Sequence, residues 1–327
     1  MEFNLNEGYY RSPQEKLWKG RQTRPELGNQ YWYQEVELMD INVLEDKLRP
    51  NVALLGYACD EGVRRNRGRV GAKEGANAIR QQLAKFSYHH AVKGIADIGD
   101  IVCDDKELET CQEELSKVVS ELVSNSIFPI LMGGGHDIAY GHFKGIHKTL
   151  EKTAKPKVGI INFDAHFDLR PVESEANSGT PFYQILKEHN DTVDYFAIGI
   201  QQQVNTKELF DIAKENKVEY LLNYECNIKN VEAVIQRLKP FVDNNDWLYI
   251  TIDMDGFSSA YAPGVSAPSP MGFTPNFVIH ILKYLLNSGK VISCDIAELN
   301  PILDQDNTTA KLAAILVDSI VASLPQN

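Results

Sequence analysis

The strongest constraint on how this chain can fold is its series of short apolar runs, at 51–57, 94–102, 127–132, 158–163, 194–200, 218–222, 247–253 and 290–296. Most are continuous rather than alternating, the pattern of strands buried on both faces of a parallel sheet. Amphipathic stretches at 73–86, 107–125, 137–151, 205–216, 228–240, 275–287 and 307–324 separate them. Pro275 suits a first helical turn, where its missing N–H is harmless, and Thr274 before it can cap that helix. Strand–helix alternation of this kind predicts an α/β fold, a three-layer αβα sandwich with a central, mostly parallel sheet of about eight strands. No repeat or Pro-, Gly- or Ser-rich linker divides the chain. Residues 46–327 therefore read as one catalytic domain and residues 1–45, rich in Tyr, Trp and charge, as an irregular N-terminal extension.

A formal net charge of -12 argues against nucleic-acid binding, which rests on Lys and Arg. The N-terminus is polar, and no apolar run approaches the ~20 residues of a membrane helix. Cys59, Cys103, Cys111, Cys226 and Cys294 are odd in number and contain no C-x-x-C pair. They read as buried, reduced thiols. A cytoplasmic protein acting on a small molecule, with neither nucleic acid nor membrane as partner, is the expectation.

Three segments concentrate metal-binding side chains, each directly after an apolar run. In 163–170, FDAHFDLR, Asp164, His166 and Asp168 stand at i, i+2 and i+4, on one face of an extended chain. Two carboxylates on one buried face are costly unless a cation compensates them. In 250–257, ITIDMDGF, Asp253 and Asp255 alternate in the same way. In 132–141, MGGGHDIAYG, three glycines precede His136. That loop lacks the features of a phosphate loop and reads as a tight turn that presents the histidine. In open α/β sheets ligands bind beyond the carboxyl ends of strands, where all three segments fall. Six donors, four of them carboxylates, exceed what one catalytic zinc requires. They suit two ions sharing carboxylates, with Mn2+ favoured by the oxygen-rich set and Mg2+ or Fe2+ also compatible. Such a pair can activate water and polarise the group it attacks. Neither a G-x-S-x-G motif nor a Cys–His pair offers a covalent alternative.

In these segments the chain resembles the ureohydrolase superfamily of arginases and agmatinases, from about residue 50 to 320. The APGVSAPSPMGF run at 262–273 and AELNP at 297–301 are similar to further family segments. The resemblance implies the arginase-like sandwich, a homo-oligomer, and specific roles. His136 and Asp168 end as terminal ligands of one Mn2+, His166 and Asp255 of the other, with Asp164 and Asp253 bridging. Glu298 grips the amidinium of the substrate, and Asp168 and Glu298 are the catalytic residues. Within the superfamily, Phe167 and Arg170, the SGTPF run at 178–182 and the DEGVRRNRGRVGAKEG run at 60–75 resemble the branch that hydrolyses N-formimidoyl-L-glutamate to L-glutamate and formamide. Arginases carry a histidine soon after DAHxD, whereas here none lies between His166 and His189. A urea-releasing enzyme acting on arginine, agmatine or a guanidino acid is the alternative.

A substrate with two carboxylates calls for arginine in its pocket. Arg170, two residues beyond Asp168, is the first candidate. At least one of Arg64, Arg65, Arg67 and Arg69 is expected to join it, with Arg67 taken as the candidate. Asn177, Ser178 and Thr180 are further candidate carboxylate donors, and Tyr183 reads either as helix packing or as a substrate contact.

Overall fold

Continuous apolar runs have no polar face to turn to solvent, so each strand must be covered on both sides. The computed structural model describes residues 3–42, 49–104, 107–151 and 156–324. Ten strands join in one sheet: β1 (Tyr10–Arg11), β2 (Val36–Leu38), β3 (Val52–Ala58), β4 (Ile95–Val102), β5 (Phe128–Met132), β6 (Val158–Phe163), β7 (Val193–Ile200), β8 (Glu219–Leu222), β9 (Trp247–Asp253) and β10 (Val291–Ala297). Its body runs β4-β3-β5-β10-β9-β6-β7-β8, all parallel. These are the strands that the apolar runs predict.

The two additional strands come from the segment read as irregular. β1 pairs antiparallel and β2 parallel along the outer edge of β4. At two and three residues they are too short to leave a periodic signal. The expected domain boundary at 45/46 lies outside the described residues.

The helices are α1 (Trp32–Glu35), α2 (Glu61–Arg65), α3 (Gly75–Leu83), α4 (Leu108–Ser124), α5 (Ile138–Leu150), α6 (Pro181–His189), α7 (Lys207–Glu215), α8 (Val231–Asn244), α9 (Pro275–Leu286) and α10 (Thr308–Ser323). On one face α4, α5 and α6 pack in sequence; on the other α3, α10, α9 and α8 do so. Alternate residues of one strand feed the two cores. Ile130 and Met132 enter one, and Leu131 between them enters the other. The outcome is the expected three-layer sandwich.

Local chemistry was decisive in some places and overruled in others. Thr274 stands extended before Pro275, as a cap should, but its side chain makes no capping bond. α8 continues through Pro240 to Asn244. Phe241 and Val242 beyond the proline are buried, and their burial outweighs one missing hydrogen bond. α6 falls in a stretch to which the amphipathic pattern assigned no helix.

One buried charge cluster ties the N-terminal segment to the sheet. Arg80 on α3, 1% exposed, donates to Asp97 Oδ1 at 2.8 Å and Asp100 Oδ1 at 2.5 Å. Trp18 Nε1 adds a bond to Asp97 Oδ2 at 2.7 Å. Removing the guanidinium strands two buried carboxylates, a loss of about 3–5 kcal/mol. Arg80→Leu is therefore expected to lower unfolding stability by that amount in denaturant titration. A change below about 1 kcal/mol would show that the cluster contributes nothing net.

Candidate metal centre

β5, β10, β9 and β6 are consecutive neighbours, so the loops at their carboxyl ends lie side by side. His136 follows β5, Glu298 follows β10, Asp253 ends β9 with Asp255 just beyond it, and Asp164, His166 and Asp168 follow β6. The last three do not lie on an extended strand as expected. β6 stops at Phe163, the chain bends, and Asp168 adopts left-handed backbone at φ 47°. The alternation survives the bend: Ala165, Phe167 and Leu169 are fully buried in the core, which turns the intervening donors toward the site.

The turns after β6 and β9 use one device. Asp164 Oδ1 accepts from His166 N at 2.7 Å, and Asp253 Oδ1 from Asp255 N at 2.7 Å. Each aspartate is anchored by one oxygen, while its Oδ2 stands 3.1 Å from His136 Nδ1. Asp168 Oδ2 lies 2.9 Å from the same nitrogen. His166 Nδ1 lies 3.4 Å from Asp164 Oδ1 and 3.2 Å from Asp255 Oδ2. Two donor sets result, His136 with Asp164, Asp168 and Asp253, and His166 with Asp164 and Asp255. Asp164 alone is common to both; Asp253 belongs to the first set.

The electrostatics of this pocket ask for cations. Burial and repulsion from Asp255 and Asp164 push Asp253 well above the ordinary carboxylate range. Burial, with Asp164 and Glu298 working against His166, brings Asp255 up to about 7. Asp168 is raised by burial and by Asp164. Burial would also raise Asp164, but both imidazoles hold it below its usual value. For His136 and His166 burial favours the neutral ring, yet the carboxylates around them hold both well above the ordinary range. His136 Nδ1 and Asp255 Oδ1 are buried with no hydrogen-bond partner, and orphaned atoms of that kind cost about 1–3 kcal/mol each. Ligand atoms converging without satisfying one another fit a binuclear centre for divalent metal ions.

The glycine loop brings a fourth strand to the site. Gly133 and Gly134 have φ of 83° and 76°, and a Cβ on Gly134 would sit 2.4 Å from the Tyr57 ring. Only glycine allows this approach. Gly134 O accepts from Glu298 N at 2.9 Å, and Glu298 Oε1 accepts from His136 N at 2.9 Å. Glu298 is itself left-handed, at φ 67°. Burial and repulsion from Asp253 hold its carboxyl well above the ordinary range.

A cavity of about 310 Å3 opens above the donors, lined by His166, Asp168, Asp253, Asp255 and Glu298 below and by Arg67, Arg69, Arg170, Asn66, Ser178 and Ser266 around it. Arg170 donates to Asn66 Oδ1 at 2.6 Å. Of the loop arginines, Arg64 and Arg65 are paired with Glu61, and Arg65 also with Glu109. Arg69 donates to the carbonyls of Val265 and Ser266. Arg67, left-handed at φ 60°, lines the cavity and has no such acceptor among the described residues. Ser178 is at the wall, its Oγ accepting from Asn66 Nδ2 at 3.0 Å.

Two candidates are not brought to this cavity. Thr180 is fully buried, and its hydroxyl is engaged with Asn177 and Gln184 at the start of α6. Asn177 lines a neighbouring, larger cavity, and its Oδ1 accepts from Gly179 N at 2.9 Å. Their polarity serves a turn. Tyr183 is outside the cavity too, beneath Lys187 Nζ at 5.2 Å. The residue that sequence reasoning missed is Asn66, which joins Arg170 to Ser178. Its only signal was its place in the 60–75 run. The five cysteines are buried thiols outside any disulfide, and the first three gather in one cluster. A hydrogen bond to Cys103 and burial push the Cys59 thiol up to about 12, so it stays protonated.

The chain's place among known proteins agrees with this site. The model of the arginase family matches residues 50–322, and the chain belongs to that family. A formimidoylglutamase of Geobacillus thermodenitrificans is 40% identical over 93% of this chain and 94% of its own length. Among solved structures, the formimidoylglutamase of Bacillus subtilis superposes with a TM-score of 0.78 at 24% identity, covering 86% of this chain and 88% of its own. The formiminoglutamase of Trypanosoma cruzi with Mn2+2 does so with a TM-score of 0.75 at 23% identity, covering 86% and 97%. At such identities the structural likeness concerns the fold. No described helix is long and apolar enough to cross a membrane.

Metal and protons compete for these donors, which sets the pH dependence. In the metal-free protein Asp255 keeps its proton up to about pH 7, against 3.8 in the unfolded chain. The folded state thus holds the extra proton between those values, and stability falls as pH rises through them. The raised His136 and His166 act in the same direction above their unfolded value of 6.5. Metal-stripped protein should melt at a higher temperature at pH 5 than at pH 8, with a smaller difference in Asp255→Asn. Added Mn2+ should raise the melting temperature most at pH 8. A stripped protein more stable at pH 8, by thermal melts, would contradict the assignment.

Proposed function

We propose that this protein hydrolyses N-formimidoyl-L-glutamate to L-glutamate and formamide, with two Mn2+ held by His136, Asp164, His166, Asp168, Asp253 and Asp255. The observation that carries the reading is the polarity of the cavity. Its floor is acidic and its wall carries Arg67 and Arg170. A substrate with a cationic amidinium at one end and two carboxylates at the other matches that gradient, whereas agmatine, cationic at both ends, does not. The 40% identical relative named formimidoylglutamase supports the same choice. We extend the proposal to residues 46–327 as one catalytic domain and residues 1–45 as an N-terminal extension, which supplies β1 and β2.

When bound, the two ions supply a water activated at neutral pH and a positive field on the group attacked. The remaining tasks fall to the chain. Glu298 directs its second carboxylate oxygen to the amidinium nitrogens, since the first is held by His136 N. Asp168, at the cavity floor and raised by burial, takes a proton from the attacking water and returns it to the departing glutamate nitrogen. Arg170, steadied by Asn66, and Arg67 grip the carboxylates. Ser178 supports Asn66 and so acts on the substrate at one remove.

A product assay on the purified, Mn2+-loaded protein, offering formimidoylglutamate, arginine and agmatine side by side, tests the reading. Formamide and glutamate are expected; urea from either of the other two would overturn it. Arg170→Ala removes a charge-assisted contact worth about 1.5–3 kcal/mol, or about ten- to a hundredfold in kcat/KM. The loss should be confined to formimidoylglutamate and absent with formamidine, which has no carboxylates. Glu298→Gln should reduce turnover on both and leave the metal content at two ions per chain. Loss of metal in that variant would make Glu298 a ligand instead.

A further inference from the structure

Beneath the metal centre a line of buried polar groups runs into the core, and the proposed mechanism uses none of it. His136 Nε2, the ring nitrogen facing away from the donor set, lies 3.0 Å from Thr251 Oγ1 on β9. Thr251 Oγ1 donates to Asp295 Oδ1 on β10 at 2.6 Å. Asp295 Oδ2 faces His142 Nδ1 on α5 at 2.6 Å and accepts a short hydrogen bond from the Tyr249 hydroxyl. His142 Nε2 lies 2.5 Å from Ser293 Oγ, which donates to the Pro129 carbonyl at 3.0 Å. His136, Thr251, Asp295, His142, Tyr249 and Ser293 are each no more than 1% exposed, so water does not compete for these bonds.

Counting protons along this line gives a direction. A threonine hydroxyl has one hydrogen. Asp295, gripped by the Tyr249 hydroxyl and His142 on Oδ2, offers Thr251 only an acceptor in Oδ1. The Thr251 hydrogen therefore points to Asp295, and its oxygen can only accept from His136. A proton of His136 must then sit on Nε2, which leaves Nδ1, among the carboxylates, as the nitrogen that exchanges its proton for a metal ion. That is the nitrogen which stands 2.9–3.1 Å from three carboxylate oxygens with no hydrogen-bond partner. Among the described residues His166 has no corresponding support: its ring faces Asp164 and Asp255, themselves donors of the site.

We propose that Thr251 and Asp295 are positioning residues that keep a proton on His136 Nε2 and hold the ring so that Nδ1 is the nitrogen offered to one of the two metal ions. The proposal rests on the binuclear reading of the site and not on the identity of the substrate. A metal-ligating histidine held through its second nitrogen binds more tightly than one left free, and loss of such a partner lowers affinity about 10- to 100-fold. Asp295 acts on His136 only through the threonine. Replacing it by an amide would let Thr251 turn and donate to Nε2, moving the ring proton to Nδ1 among the carboxylates.

The test uses the full chain, as parent, Thr251→Val, Thr251→Ser and Asp295→Asn, each stripped and titrated with Mn2+ by electron paramagnetic resonance. In Thr251→Val one of the two ions should bind about 10- to 100-fold more weakly, while Thr251→Ser, which keeps the hydroxyl, should stay near the parent. Asp295→Asn should behave like the valine variant. Imidazole 15N spectra of the metal-free parent, taken at a pH where the ring has become neutral, should place the remaining His136 proton on Nε2. Parent-like affinity for both ions in Thr251→Val would overturn the proposal. So would an equal loss in Thr251→Ser, which would mark a packing effect, or a neutral His136 ring in the parent that carries its proton on Nδ1. None of these readouts involves turnover, so a protein that binds Mn2+ as described but leaves formimidoylglutamate intact would sink the substrate assignment and leave this one standing.

Discussion

Like-charge repulsion inside a dry pocket governs this molecule. Asp164, Asp168, Asp253 and Asp255 meet near two imidazoles at the centre of the sheet, where carboxylates cannot all be ionised without compensation. The metal-free site answers with protons. Asp253 and Asp255 are held far above their usual range while Asp164, the carboxylate that faces both rings, stays below it. Divalent cations replace those protons at lower electrostatic cost. Folding, metal uptake and pH response are therefore one coupled equilibrium.

The rest of the architecture holds the repelling groups together. Four adjacent parallel strands end at the same height, so residues far apart in the chain arrive side by side. Left-handed backbone at Gly133, Gly134, Asp168 and Glu298 lets the loops close over the site. At the two non-glycine positions that conformation is itself strained. The surrounding hydrogen bonds hold it in place, such as Glu298 N to Gly134 O and His136 N to Glu298 Oε1. Fully covered strands on either side make the platform rigid, as close placement of like charges requires.

Above the acidic floor the sign of the field reverses. Of the loop arginines, Arg64 and Arg65 are neutralised by Glu61 and Glu109, and Arg69 holds backbone carbonyls. Arg67 from the loop and Arg170 from the segment after β6 line the cavity with neither a carboxylate nor a backbone carbonyl as partner among the described residues. Asn66 and Ser178 link the loop to the segment after β6. The cavity wall is thus tied by hydrogen bonds to the segment that carries Asp164, His166 and Asp168.

The parallel sandwich and the six donor residues were legible in the sequence because both are local. A strand buried on both faces must be apolar throughout, and a strand end that carries alternating Asp and His declares a cation site through chemistry alone. What sequence reasoning did not reach depends on neighbours distant in the chain. Thr180 and Asn177 look like substrate donors until the turn before α6 is seen to occupy them. β1 and β2 are too short to signal themselves and exist because β4 presents an open edge. The line from His136 through Thr251 to Asp295 arises from strand order. Only the packing of β9 between β6 and β10 decides which polar groups share a buried space and must satisfy one another.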